Sequence, residues 1–183
     1  MAGYAAKGVA GLFIQRAVIR NYRCLKQANV TFNDKLNVIV GNNECGKSTL
    51  LEAIHLALTG QLNGRPLQTE LHPYLFNLDL VLEYIEALKA GRALAPPSIL
   101  IEVYLADDPV LTKLKGNNNT LGLDLPGVAL LIELNPAHAE DFSQYVSDPS
   151  EIRTVPIEYY WIKWRDFAEN DILNSRGIPL HAS

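Results

Sequence analysis

Residues 36–49 read LNVIVGNNECGKST. The run at 36–40 is almost wholly apolar, the pattern of a strand covered on both faces. Residues 41–48 then satisfy G-x-x-x-x-G-K-[ST], the phosphate-binding loop. Glycines at 41 and 46 let the backbone turn so that successive N–H groups point inward as an anion nest. Lys47 supplies a point charge for the β- and γ-phosphates, and the Ser48 hydroxyl is placed to bind Mg²⁺. Downstream, Lys47–Thr59 (KSTLLEAIHLALT) repeats Leu50, Leu51, Ile54, Ala57 and Leu58 at spacings of three and four and stops at Gly60. This predicts a helix whose positive N-terminal end faces the same phosphates. No GxGxxG is present, so the motif points to a metal-bound triphosphate rather than a dinucleotide.

The bulk properties fit this reading. The chain has 183 residues, 48% hydrophobic and 20% charged, with a formal net charge of −4. That is enough for one domain with a core, and too hydrophobic for disorder. The negative balance argues against a simple basic nucleic-acid binder. Cys24 and Cys45 show no CxxC spacing, so neither a zinc site nor a disulfide framework is indicated, and a reducing cytoplasm fits. No apolar run approaches the roughly 18 residues of a membrane helix. Residues 1–12 read as a loose, disordered leader before the domain.

Around the loop, residues 13–21 and 28–32 read as strands, with Asn33-Asp34 as a turn. Residues 36–40 are a third strand. Residues 63–78 form a loop, and residues 79–90 a second helix with Asp79 as N-cap and Gly91 just past its end. Ile99–Leu105 and residues 127–134 alternate as strands able to pair antiparallel. Residues 136–145 start a helix with Pro136 at its first position. Residues 157–167 form an aromatic-rich strand, in which Tyr159, Tyr160, Trp161, Trp164 and Phe167 read as the two faces of a sheet rather than base-stacking groups.

The segment AVIRNYRCLKQANVTFNDKLNVIVGNNECGKSTLLEAIHLALTG resembles the N-terminal lobe of ABC-type ATPases of the SMC/RecF/OLD group. The likeness rests on Ile19-Arg20-Asn21-Tyr22-Arg23 ahead of Asn37-Val38-Ile39-Val40 and the loop. It implies an α/β P-loop NTPase fold: an ABC-type head lobe with a mixed sheet and an antiparallel β subdomain. By the same resemblance Gly41, Asn43, Gly46, Lys47, Ser48 and Thr49 occupy the phosphate and magnesium positions. Arg23 matches an arginine close to the nucleotide. Glu44 and Cys45 stand where glycine and serine are frequent, and members of the break-repair and OLD branches also tolerate Glu there. Glu44 reads as pointing to solvent and Cys45 as a small residue that fits. The phrase VPIEYYWIKWRDF also resembles OLD-like ATPases.

The resemblance further implies ATP and Mg²⁺ as cofactors, DNA as a partner of the intact protein, and a homodimer of ATPase heads. ABC hydrolysis also needs a signature loop and an apolar run ending in Asp-Glu, and neither follows residue 49. Leu130-Leu131-Ile132-Glu133 mimics that run but reads as a sheet strand. The expectation is therefore an incomplete domain over residues 13–183, ending before the signature and acidic motifs. Gln61, Asp107 and Asp108 are weaker candidates for sensing the γ-phosphate. Two other classes stay open: a compact P-loop kinase or phosphotransferase, and a catalytically defective, nucleotide-dependent interaction module.

Overall fold

The computed structural model describes residues 13–40 and 46–178. The chain runs β1 (Ile14–Tyr22), β2 (Leu25–Thr31), α1 (Lys47–Thr59), β3 (Gln61–Leu62), β4 (Arg65–Pro66) and α2 (Leu67–Glu70). It continues through α3 (Leu78–Lys89), β5 (Ile99–Leu105), β6 (Lys115–Gly116), β7 (Leu125–Leu134), α4 (Ala139–Tyr145) and β8 (Tyr160–Asp166). The main sheet runs β2-β1-β5-β7, with β8 and the short β6 both pairing β7. Every pairing among the described strands is antiparallel, which is the expected β subdomain.

Alternation decides the layers. Ala17 and Ile19 of β1, Ile101 and Val103 of β5, and Val128, Leu130 and Ile132 of β7 form one core. The helix α1 presents Ala53, Leu56 and Ala57 to it. These small and medium side chains let a helix lie close on a sheet. On the other face Val18, Tyr104, Ala129 and Phe167 make a second, smaller cluster. There Glu102, only 2% exposed, accepts hydrogen bonds from the Tyr104 hydroxyl (2.7 Å), the Thr120 amide (2.8 Å) and the Thr120 hydroxyl (2.6 Å). A buried carboxylate is tolerable only when satisfied in this way.

Several expected elements hold. The helix over Lys47–Thr59 and its stop at Gly60 are as read, as is the antiparallel pairing of Ile99–Leu105 with the strand after residue 125. Leu130 to Glu133 lie in β7, and Glu133 pairs with Lys163 at 2.9 Å. The aromatic segment is sheet core: Tyr160 and Phe167 are buried, and Trp164 packs against the main cluster.

Others need correction. Residues 36–40 are not a strand and pair with no described strand; Leu36, Val38 and Val40 are 76%, 71% and 84% exposed. Strand propensity does nothing without a partner edge. The Asn37 side chain, moreover, ties back to the Asn33 backbone through two hydrogen bonds (2.7 and 2.9 Å), offering the chain a local alternative to a ladder. The N-cap of α3 is Asn77, whose Oδ1 accepts from the Leu80 amide, and Asp79 lies inside the first turn. The 63–78 loop holds α2 and β4, which pairs with β3 just ahead of it. The helix expected from Pro136 opens as a 3-10 turn, Pro136–His138, and becomes α-helical at Ala139. The strand expected from 157 likewise starts at Tyr160, after a 3-10 turn.

These positions make opposite predictions. Ile101→Ala empties a fully buried site and is expected to cost about 2–5 kcal/mol. Val38→Ser, at an exposed site, is expected to stay within about 0.5 kcal/mol of the parent. Urea unfolding of the two variants checks both.

Candidate nucleotide-binding site

The candidate site lies at the N-terminus of α1. Gly46 caps it in the left-handed region (φ 77°, ψ 14°), with no side-chain cap and no acidic residue in the first turn. With no side chain capping it, this helix end suits an anion. Lys47 and Thr49 are half-buried and Ser48 is exposed at this end. Gly41, Asn43, Glu44 and Cys45 lie outside the described residues.

The tip of the β1–β2 hairpin packs on this helix end. A Cβ at Gly46 would stand 2.8 Å from Leu25 Cδ2 and 3.2 Å from Cys24 Sγ, so both conformation and space require glycine. The Cys24 thiol donates to Thr49 Oγ1 at 3.4 Å. Arg23, next to Cys24 in this hairpin tip, thus lies near the start of α1.

Arg23 is held in an unusual way. It and Asn21 both have positive φ (49° and 60°). For residues with a Cβ this conformation costs about 1–2 kcal/mol. Hydrogen bonds fix it. The Arg23 amide donates to Leu75 O (2.8 Å), and Asn77 Nδ2 donates to Arg23 O (2.7 Å). Asn21, itself buried, donates through Nδ2 to Ser98 O (2.7 Å), and its Oδ1 accepts from the Asn77 amide (3.0 Å).

The side chains form a second tie. The Tyr22 hydroxyl donates to Glu52 Oε1, and Arg23 Nε pairs with the same oxygen, each at 2.5 Å. Nε is buried, and its approach to Glu52 lacks the alignment of a directed hydrogen bond, so the pair is electrostatic. Burial, then the Glu52 carboxylate, push the Tyr22 phenol well above its usual range. Burial opposes the charged form of Arg23, but Tyr22 and Glu52 outweigh it and the guanidinium is held more firmly protonated.

Three weaker candidates fall away from the site. Gln61 follows the C-terminal end of α1, about 20 Å from Gly46 at the rise of an α-helix. Asp107 and Asp108 follow β5, whose end pairs with Ile14, the start of β1 rather than its tip. Asp107 instead pairs with Lys115 at 2.7 Å, and Asp108 accepts from the Val110 amide at 2.9 Å. Sequence reasoning used Asn21 and Tyr22 only as motif residues and passed over Glu52 and Asn77. The position of Glu52 one turn beyond Ser48 was a usable signal; the Asn21–Asn77 contact spans 56 residues and left none.

Comparison with known proteins finds relatives for the segment that holds this site. Residues 16–89 match the family described as AAA domain. This segment is similar to part of DNA replication and repair protein RecF of several bacteria. DNA replication and repair protein RecF of Bacillus cytotoxicus is 44% identical over 45 residues, which is 25% of this chain and 12% of that protein. RecF of Oceanobacillus iheyensis is 35% identical over 60 residues, 33% of this chain and 16% of that protein. The matched stretches thus span well under a fifth of these relatives' length. A solved structure of the recombination mediator RecF with ATP, from the RecFOR pathway, aligns with 66% of this chain and 24% of its own at 19% identity and TM-score 0.39. No helix among the described residues is long and apolar enough to cross a membrane.

A pH dependence follows from the buried phenols. Tyr22, Tyr104 and Tyr160 all have pKa values raised, chiefly by burial, above the usual 10.0. Groups raised on folding stabilise fully below the unfolded value and lose that contribution as pH rises above it. The melting temperature is expected to be flat from about pH 8 to 9 and to fall above about pH 10. Tyr22→Phe should make the fall shallower, as melts across that range would show.

Proposed function

We propose that residues 41–49 bind the phosphates of ATP, and that the chain is the ATP-binding lobe of a DNA-acting ATPase of the OLD/RecF type. The single observation that supports this most is the uncapped, acid-free N-terminus of α1 at Gly46, with Lys47 and Ser48 in its first turn and Arg23 beside it. A left-handed glycine at the cap and the positive end of the helix suit a polyphosphate. Lys47 neutralises the β/γ-phosphates, and Ser48 is the Mg²⁺ ligand. Gly41, Asn43, Glu44, Cys45 and Thr49 complete the binding set. The intact protein engages DNA and pairs two heads around nucleotide. Hydrolysis draws on a signature loop and an Asp-Glu pair that residues 50–183 do not contain.

Titration calorimetry with ATP and Mg²⁺ tests this on the 183-residue chain. Binding is expected, at least tenfold weaker in Lys47→Ala, with negligible phosphate release. Equal binding by the variant would remove the phosphate-loop reading. Robust turnover by this chain alone would favour a compact phosphotransferase.

A further inference from the structure

We propose that Glu52 is a positioning residue of the nucleotide site, fixing the Arg23 guanidinium beside the first turn of α1, where it meets phosphate. The inference rests on the phosphate-loop reading of residues 41–49.

Its first support is the company Glu52 keeps. An ion pair between side chains each 33% exposed is ordinarily a weak and mobile contact. Here the carboxylate is anchored from beneath. The same Oε1 that faces Arg23 also accepts from Tyr22, whose side chain is fully buried. Glu52 therefore has one place to stand, and it transmits that place to Arg23.

The second support is the backbone. Arg23 adopts φ 49°, held by Leu75 O and the Asn77 side chain. Glycine or asparagine would meet that conformation more easily than arginine. The strain is spent on aiming this particular side chain along the hairpin tip that touches Gly46 and Thr49.

Third comes charge. Glu52 lies four residues after Ser48, on the same side of the helix. A bare carboxylate one turn from bound phosphate would repel it. Paired with Arg23 and hydrogen-bonded by a phenol that stays protonated, it presents no net negative charge. Arg23 faces Glu52 through Nε, and a guanidinium has further donors suited to phosphate oxygens.

The experiment is a double-mutant cycle on ATP–Mg²⁺ affinity using the parent, Glu52→Gln, Arg23→Ala and the double variant, with melting curves taken without nucleotide. Glu52→Gln and Arg23→Ala are each expected to weaken binding about tenfold. The double variant should bind no more than about twofold worse than Arg23→Ala, because Glu52 acts through Arg23. Losses that multiply, or Glu52→Gln binding like the parent, would overturn the proposal while leaving the phosphate loop standing. If the parent binds no nucleotide, the phosphate-loop reading and this inference fall together. Should Glu52→Gln not fold, Tyr22→Phe replaces it in the cycle. It keeps the ring, removes the anchoring hydroxyl, and is judged by the same non-additivity.

Discussion

The placement of α1 on the sheet governs everything near the site, and it is fixed at both ends by glycines in the left-handed region. At the N-terminal end Gly46 admits the hairpin tip. At the C-terminal end Gly60 (φ 67°) closes the helix by donating to Leu56 O. There the Trp164 ring lies so close that a Cβ would come within 2.7 Å, while its indole N–H donates to Ala57 O at 2.7 Å. Between these ends Ala53, Leu56 and Ala57 bury against β1, β5 and β7. A helix seated this way cannot rotate or slide without opening one contact or the other, so its dipole is aimed by packing.

The hairpin tip answers to a second constraint, a polar one. Two left-handed residues flank Tyr22; the Asn77 side chain satisfies the Arg23 carbonyl, and the Asn21 side chain ties the turn to Ser98 and Asn77. Asn77 serves twice, since its Oδ1 also caps α3. One asparagine thereby couples the start of a helix to the conformation of Arg23. Tyr22 does similar work from the apolar side, with its ring in the core and its hydroxyl on Glu52. The site is made where a packed layer and a satisfied polar cluster meet, which is how a charged side chain can be held without being buried.

Much of this was legible in the sequence, for local reasons. The phosphate-loop motif and the three-four spacing after Lys47 located α1 to the residue, because both signals lie within one contiguous segment. Alternation found β5 and β7, whose two faces differ. The errors were of another kind. Residues 36–40 have the composition of a buried strand, but composition says nothing of whether a partner edge is within reach, and Asn37 bonds back to Asn33. Asp79 had the chemistry of an N-cap, and Asn77 takes that place because it is tied to Asn21 across the fold. Gln61 was plausible by residue type alone, and the length of α1 carries it to the far end. The sequence signalled each side chain's chemistry; what it could not convey was distance between segments far apart in the chain.

The Asn21–Asn77 contact has a consequence for the order in which the molecule assembles. The β1–β2 hairpin closes over a few residues and can form early, but its tip takes its final shape only when a segment more than fifty residues later docks against it. Arg23 is therefore among the last groups to reach its place. In the native state the amides of Arg23 and Asn77, each bonded to the other's neighbourhood, share one opening event. Their hydrogen-exchange rates should rise and fall together, and unequal responses to mild denaturant would show that the tip and the start of α3 open separately.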